Sequence, residues 1–382
     1  MKSQTDYWSN YIALPSQTPP KYILSLEKKK FFFAGLNFYP GLTFKSRFKK
    51  ALLRHSYSLI KKTQCLINKN AYDENLISVP VFLKEMGISN KRFNFYVPSY
   101  QKIIIQVLDN NGECEGIIKL ALDDFGKKSI EKEIKNLNKI ANIDFKNFEI
   151  PKIMNSGEKN RMYYFAMNCP SQYRPFDVKD SDSTILKILT ELFMVNRSEA
   201  ESLNEAKIYL NLKERIFKIQ DQNIRDLCLK SINLYDEMND VKIPLCLVHY
   251  DFKPWNLLVN CTTNAVLLVD WELMEEKGLP LWDAYTYILF TFFTLKYNVS
   301  PSSAFRYFRQ NEKFFFKYTY KIGIDKSFIE KLLPLYLLDM ITIDALWNRW
   351  EKTEKRPNRI LISMTELLKY LLEKNINIHC IN

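Results

Sequence analysis

Glycine is scarce in this sequence, nine residues in 382, and prolines number 15, which together exclude collagen-like, glycine-linker and proline-rich chains. Cysteine forms no paired motif. Cys65, Cys114, Cys169, Cys228, Cys246, Cys261 and Cys380 are scattered and odd in number, so they read as reduced thiols rather than a disulfide framework. Histidine is rarer still. His55, His249 and His379 stand far apart, which leaves no zinc signature. The first twenty residues, MKSQTDYWSNYIALPSQTPP, lack the apolar core of a signal peptide. The most apolar stretches are residues 284–295, too short for a bilayer span of about 20 residues, and residues 332–346, interrupted by Asp339 and Asp344. Both read as core helices, and the expectation is a cytoplasmic chain.

What the sequence has is enough apolar material for a large core: 47% hydrophobic and 14% aromatic residues, far above the range of disordered chains. The length allows two or three packed units. Its charge is basic, 55 Lys and Arg against 43 Asp and Glu, and the excess is localised. Residues 1–100 hold sixteen basic and five acidic residues, while the remainder is nearly neutral. Such a concentration points to an N-terminal segment that meets something anionic, either lipid headgroups at the inner membrane face or a glycan, with plain solubility as the competing reading. No recognised nucleic-acid module accompanies it, so no specific nucleic-acid partner is expected.

Residues 1–90 read as a basic accessory segment. Short aromatic runs are broken by Pro15, Pro19, Pro20, Pro40 and Pro80, and a basic helical pattern runs from Phe44 to Asn68. In it Leu52, Leu53, Tyr57, Ile60 and Leu66 recur at roughly helical spacing, a face that either packs on the body of the protein or lies on a membrane. Residues 91–169 switch to strand alternation: FNFYV, then KIIIQVLD, the turn signal Asn110-Asn111-Gly112, and GIIKLAL. A helix is predicted from Ser129 to Ala141, with Ile130, Ile134, Leu137 and Ile140 on one face, followed by two strands around a turn containing Gly157. Residues 170–382 are mainly helical, interrupted by short apolar strands at residues 244–250, 256–259 and 266–269. Phe290, Phe292, Phe293, Phe314, Phe315 and Phe316 read as helix core. The fold class is α+β.

Chemistry concentrates in His249-Tyr250-Asp251-Phe252-Lys253-Pro254-Trp255-Asn256 and in Asp270-Trp271-Glu272. Each polar residue here flanks an apolar strand, which brings side chains together at strand ends. One carboxylate to deprotonate a hydroxyl, with an amide and a second carboxylate as oxygen ligands for magnesium, suits phosphoryl transfer. Asp251, Asn256 and Asp270 supply that set. Upstream, Lys119 interrupts the third apolar strand, where burial is costly unless it meets anions such as ATP phosphates. Glu133, on the helix that follows, is placed to pair with it.

With these residues in this order, the sequence resembles the aminoglycoside phosphotransferase and choline kinase-like family, from about Arg92 to the C-terminal helices. The resemblance implies a two-lobed protein-kinase-like fold, with a small antiparallel-sheet nucleotide-binding lobe at 91–169 and a mainly helical catalytic and acceptor lobe at 170–382. It implies that Asp251 is the catalytic base, that Asn256 and Asp270 bind magnesium, that Lys119 holds the phosphates of ATP or GTP, and that Glu133 fixes Lys119. His249 would brace the catalytic loop, Lys253 would touch the transferred phosphate, and Asp283 would stabilise the loop. Met167, Asn168 and Cys169 would form the hinge that receives the nucleobase. The chain lacks the D-F-G and A-P-E strings of protein kinases, and residues 97–100 contain no glycine, so protein-kinase activity is not expected. Residues 273–382 carry sixteen basic and twelve acidic residues, which does not suit a polycationic acceptor. The expected activity is phosphorylation of a small-molecule hydroxyl, on a sugar or glycan precursor, the alternative being a catalytically silent kinase-fold binding protein at a membrane or in an assembly.

Overall fold

Alternation after Arg92 is expressed as sheet, and the sheet is larger than the pattern indicates. The computed structural model describes residues 7–14, 21–38, 44–63, 76, 78–99, 101–168, 173–176, 182–236, 241–296, 298–347 and 359–374. Two four-residue strands, β1 (Tyr11–Leu14) and β2 (Tyr22–Ser25), precede the expected ones. Helices α1 (Lys29–Gly35), α2 (Phe44–His55), α3 (Tyr57–Thr63) and α4 (Val79–Glu85) follow. Then come β3 (Arg92–Ser99), β4 (Lys102–Leu108), β5 (Cys114–Ala121), helix α5 (Asp124–Ile140), β6 (Ile153–Lys159) and β7 (Met162–Met167). The seven strands form one sheet in the order β1-β2-β3-β4-β5-β7-β6, antiparallel throughout.

Both faces of this sheet are covered near its N-terminal edge, which explains why all four residues of β2 are buried. Ile23 joins Phe82, Phe93, Phe95, Ile103, Ile105 and Leu120 on one side. Tyr22 and Leu24 join Ile12, Phe32, Leu36 and Tyr57 on the other. A polar residue ties the second layer down: Asn94, fully buried, accepts from the Ser25 N–H at 2.9 Å and donates to the Phe31 carbonyl and to Gln106 Oε1, both at 3.0 Å.

Two details depart from the expected elements. Helix α5 begins five residues before Ser129, because Asp123 is the N-cap, its carboxylate accepting from the Gly126 N–H at 2.7 Å. Gly126 is required there, since a Cβ would lie 2.0 Å from the Gln101 carbonyl oxygen. The β6–β7 turn is not made by Gly157, which lies within β6, but by Asn160 and Arg161, at φ 48° and 60°.

By internal contacts the chain divides into two units. The first is Met1–Asp144, Phe148–Val178 and Trp255–Glu272; the second is Phe145–Asn147, Lys179–Pro254 and Leu273–Asn382. Beyond the large sheet, the first unit contains β8 (Tyr173–Pro175). In the second unit come α6 (Asp182–Val195), β9 (Ala200–Ser202), α7 (Lys207–Phe217), α8 (Gln222–Asp236), β10 (Lys242–Pro244) and β11 (Cys246–Val248). The chain then adds a hairpin to the first unit, β12 (Leu257–Asn260) and β13 (Val266–Leu268), with β12 also pairing β8. It returns to the second unit as β14 (Glu275–Gly278), which pairs with β11.

The rest of the second unit is helical. It comprises α9 (Trp282–Tyr285), a π turn at Thr286–Phe290, α10 (Thr291–Leu295), α11 (Pro301–Gln310), α12 (Glu312–Ile322), α13 (Phe328–Lys331), α14 (Leu333–Trp347) and α15 (Arg359–Glu373). The apolar stretches at 284–295 and 332–346 are core helices as expected, and no described helix is long and apolar enough to cross a membrane. Of the six phenylalanines expected in the core, Phe293, Phe314 and Phe315 are buried, whereas Phe316 is 43% exposed.

Candidate active site

In the first unit, Lys119 sits mid-strand in β5, opposite Ile104 of β4 and Phe165 of β7, and is 3% exposed. An ammonium there is tolerated only with counter-charges. Glu133 provides the first: its two carboxylate oxygens accept from Lys119 Nζ at 2.8 and 2.6 Å. Glu133 lies on the same stripe of α5 as the buried Ile130, Leu137 and Ile140, which is why the helix that packs on the sheet delivers a carboxylate beneath it. Asp270 provides the second, accepting from Lys119 Nζ at 2.7 Å through Oδ1. Burial alone would lower the Lys119 pKa, but the carboxylates of Asp270, Glu133 and Glu272 outweigh it and hold the ammonium well above the ordinary lysine range.

Asp270 adopts φ +72°, a conformation sparsely populated by residues other than glycine. It follows β13, and one residue earlier the Val269 N–H donates to the Asn256 carbonyl at 2.9 Å, so Asn256 and Asp270 stand at the same end of the β12–β13 hairpin. Helix α5 fixes the turn that carries Asp270 by three side chains at i, i+4 and i+7. Ser129 Oγ donates to Glu272, Glu133 acts through Lys119 on Asp270, and Asn136 Nδ2 donates to the Trp271 carbonyl at 2.8 Å. Lys102, at the start of β4, completes this clamp with bonds of 2.9 Å to Ser129 Oγ and 2.5 Å to Glu272 Oε2. Sequence reasoning missed Lys102, Ser129 and Asn136. A cue was present in the three polar residues spaced by helical turns along α5.

At the end of β7, Met167 is buried and pairs with Ile117 of β5. The Asn168 N–H donates to the Lys152 carbonyl at 3.2 Å and its side chain accepts from the Lys152 N–H at 2.7 Å, so both are engaged within the first unit. Cys169 lies outside the described residues.

The second unit carries His249, Asp251 and Lys253 just after β11. Strand β14 lies so close to β11 that a Cβ on Gly278 would sit 2.6 Å from Val248 Cγ2. Asp283, buried on α9, accepts from the backbone N–H of His249 and of Tyr250, each at 2.8 Å. Burial pushes its carboxyl up to about 7, against the pull of those two donors and with the help of the neighbouring Asp251 charge. Buried His249 accepts the Asp251 N–H on Nδ1 at 3.2 Å, while Tyr250 takes φ +68°, and together they set the direction in which the chain delivers Asp251. The Asp251 carboxylate forms an ion pair with Lys253, whose ammonium also lies 4.1 Å from the centroid of the Phe290 ring.

No family model and no curated protein matches the sequence. Solved structures do. The GDP complex of wild-type aminoglycoside 2′-phosphotransferase-IIIa matches with a TM-score of 0.51 at 14% identity, over 79% of this chain and 100% of that one. A point mutant of the same protein, also with GDP, gives 0.51 at 14% identity over 80% and 99%. This chain has the aminoglycoside phosphotransferase fold. An ethanolamine kinase from Plasmodium vivax is also similar, at TM-score 0.48 and 15% identity, over 86% of this chain and 91% of that one.

Within this aminoglycoside phosphotransferase fold, one further buried carboxylate supports the loop that bears Asp251. Asp339, 1% exposed in α14, accepts from Tyr250 Oη at 2.8 Å and Trp282 Nε1 at 2.7 Å, and pairs with Arg215 of α7. Asp339→Asn is expected to lower the unfolding free energy by about 1.5–3 kcal/mol, since the charged bond is lost while the neutral donors keep an acceptor. Urea denaturation of the full chain reads this directly.

Proposed function

We propose that the protein is a nucleotide- and magnesium-dependent phosphotransferase acting on a hydroxyl of a small molecule. One observation carries the reading: a lysine buried in a sheet, held by one buried glutamate and by a second, part-exposed carboxylate on a strained turn. A purely structural ion pair needs one partner. Lys119 has two, and the 29% exposure of Asp270 leaves its carboxylate able to face a ligand.

In this reading Lys119 binds the phosphates of ATP or GTP, and Glu133 keeps it aimed. Among the described residues no three His, Cys, Asp or Glu side chains gather as a metal cage. The donor set still fits magnesium, which keeps waters and substrate phosphates as ligands and needs only one or two protein oxygens, here from Asn256 and Asp270. Magnesium, when bound, would neutralise phosphate charge. Asp251 accepts the proton of the acceptor hydroxyl as that oxygen bonds to the terminal phosphorus. The bond from phosphorus to the bridging oxygen breaks, and the nucleoside diphosphate leaves. Lys253 steadies the transferred group, His249 and Asp283 hold the loop, and the chain at Met167 and Asn168, where β7 ends, receives the nucleobase.

For the acceptor, the slight basic excess of residues 273–382 favours a neutral or anionic hydroxyl compound, a sugar or glycan precursor, over a polycation. The test is a thermal-shift titration of wild type and Asp270→Ala with ATP and GTP, each with and without magnesium. Magnesium-dependent stabilisation of about 2.7 kcal/mol at a hundredfold excess over Kd, lost in the variant, is expected. No shift with either nucleotide would overturn the reading in favour of a silent binding protein.

A further inference from the structure

A second surface, independent of the phosphotransfer chemistry, is built into the first unit by α2 and α3. The two helices continue one another, because the Ser56 N–H donates to the Leu52 carbonyl and the Ile60 N–H to the Ser56 carbonyl, each at 2.9 Å. The rod therefore has a single helical phase. One side is fastened to the core. Leu53, Tyr57 and Ile60 belong with the cluster of Ile12, Leu24, Leu26, Phe32 and Leu36, and Tyr57 Oη donates to the Leu26 carbonyl at 3.1 Å.

The sequence pattern grouped Leu52 with Leu53, Tyr57 and Ile60 on one face, whereas the structure turns Leu52 outward, away from the packed side; Leu66 lies outside the described residues. Phe48, Leu52 and Leu59, spaced by four and seven residues, form an outer stripe and are 62%, 54% and 64% exposed. Lys45 and Lys49 flank the stripe on one side and Lys62 on the other, as the helical phase dictates. Residues 44–63 contain seven Lys or Arg and no acidic residue.

We infer that this rod is a peripheral membrane anchor whose occupant is the surface of an anionic lipid bilayer. A helix with an apolar stripe between rows of lysine lies along the headgroup boundary, its apolar side chains in the acyl edge and its lysines reaching lipid phosphates. The complementarity is twofold. A nucleic acid or acidic glycan would use the lysines and leave the stripe in water, whereas an anionic bilayer uses both. The opposite face is already bound to the core, so the helix can lie flat without unfolding anything.

Co-sedimentation of the 382-residue chain with vesicles of phosphatidylcholine alone, or of phosphatidylcholine mixed with phosphatidylglycerol, tests this. Wild type is expected to partition onto the mixed vesicles, with salt weakening the binding, and to ignore the neutral ones. Replacing the stripe (Phe48→Ser, Leu52→Ser, Leu59→Ser) should cut partitioning roughly ten- to hundredfold. Replacing the flanks (Lys45→Gln, Lys49→Gln, Lys62→Gln) should reduce it and its salt dependence, with the thermal-shift response to nucleotide unchanged in both variants. Failure of wild type to bind mixed vesicles would overturn the inference. So would undiminished binding by the serine variant, and so would full competition by heparin or RNA that the serine variant shares, which would mark a polyanion site instead.

Discussion

Asp251→Asn is expected to reduce turnover by roughly 10²–10⁴-fold, the range for loss of a general base, while the magnesium-dependent thermal shift with nucleotide stays at its wild-type size. The substitution preserves shape while removing the ability to accept a proton, together with the charge that pairs with Lys253. The loop it sits on is shaped by contacts that asparagine does not disturb: Asp283 on the N–H groups of His249 and Tyr250, the Asp251 N–H on His249 Nδ1, and the left-handed Tyr250. Lys119, Glu133 and Asp270 are held by their own network in the first unit, through α5 and the clamp on Glu272. Nucleotide binding and turnover should therefore separate. Loss of both together would mean that Asp251 acts on nucleotide binding rather than as the base, and full activity would remove it from the base role.

Much of the sheet could be read from the sequence, because its middle is local. Strands β3, β4 and β5 are neighbours in the chain, they are short runs rich in β-branched and aromatic residues, and Asn110-Asn111-Gly112 marks the turn between the last two. Lys119 and Glu133 were legible as exceptions, a lysine in an apolar strand and a glutamate on an apolar helical stripe. Strands β1 and β2 were not, since four residues each carry too little period, and β2 is paired with β3 more than 70 residues away. The clamp formed by Lys102, Ser129 and Glu272 joins positions separated by up to 170 residues, and nothing local announces such a contact. Asp339 misled in a different way. Read along the chain, it only interrupts an apolar run; in the fold it is the shared acceptor for Tyr250, Trp282 and Arg215.

Lys119→Met is expected to cost about 3–5 kcal/mol of stability, because it strands a buried carboxylate without its cation. The double substitution Lys119→Met, Glu133→Leu should recover most of that loss, since both charges are then replaced by apolar groups in a site where Glu133 is fully buried and Lys119 nearly so. Asp270, part-exposed, can be solvated in either variant. The pH dependence follows from the same pair. Burial, reinforced by Asp270 and Glu272, already pushes the Glu133 carboxyl up against the pull of Lys119. A group whose pKa is higher in the folded state contributes stability below its unfolded value and loses it as pH rises through the folded value. Removing Lys119 takes away the opposing pull, so the deficit of the single variant should be smallest in acidic buffer, where Glu133 keeps its proton, and should grow toward neutral pH. Denaturant unfolding of both variants at the two pH values measures this. Nucleotide stabilisation should be absent from both, because the double variant restores packing without restoring a cation for the phosphates. Equal, pH-independent losses in single and double variants would instead reduce Lys119 to a space-filling residue and remove the counter-ion argument on which its phosphate-binding role rests.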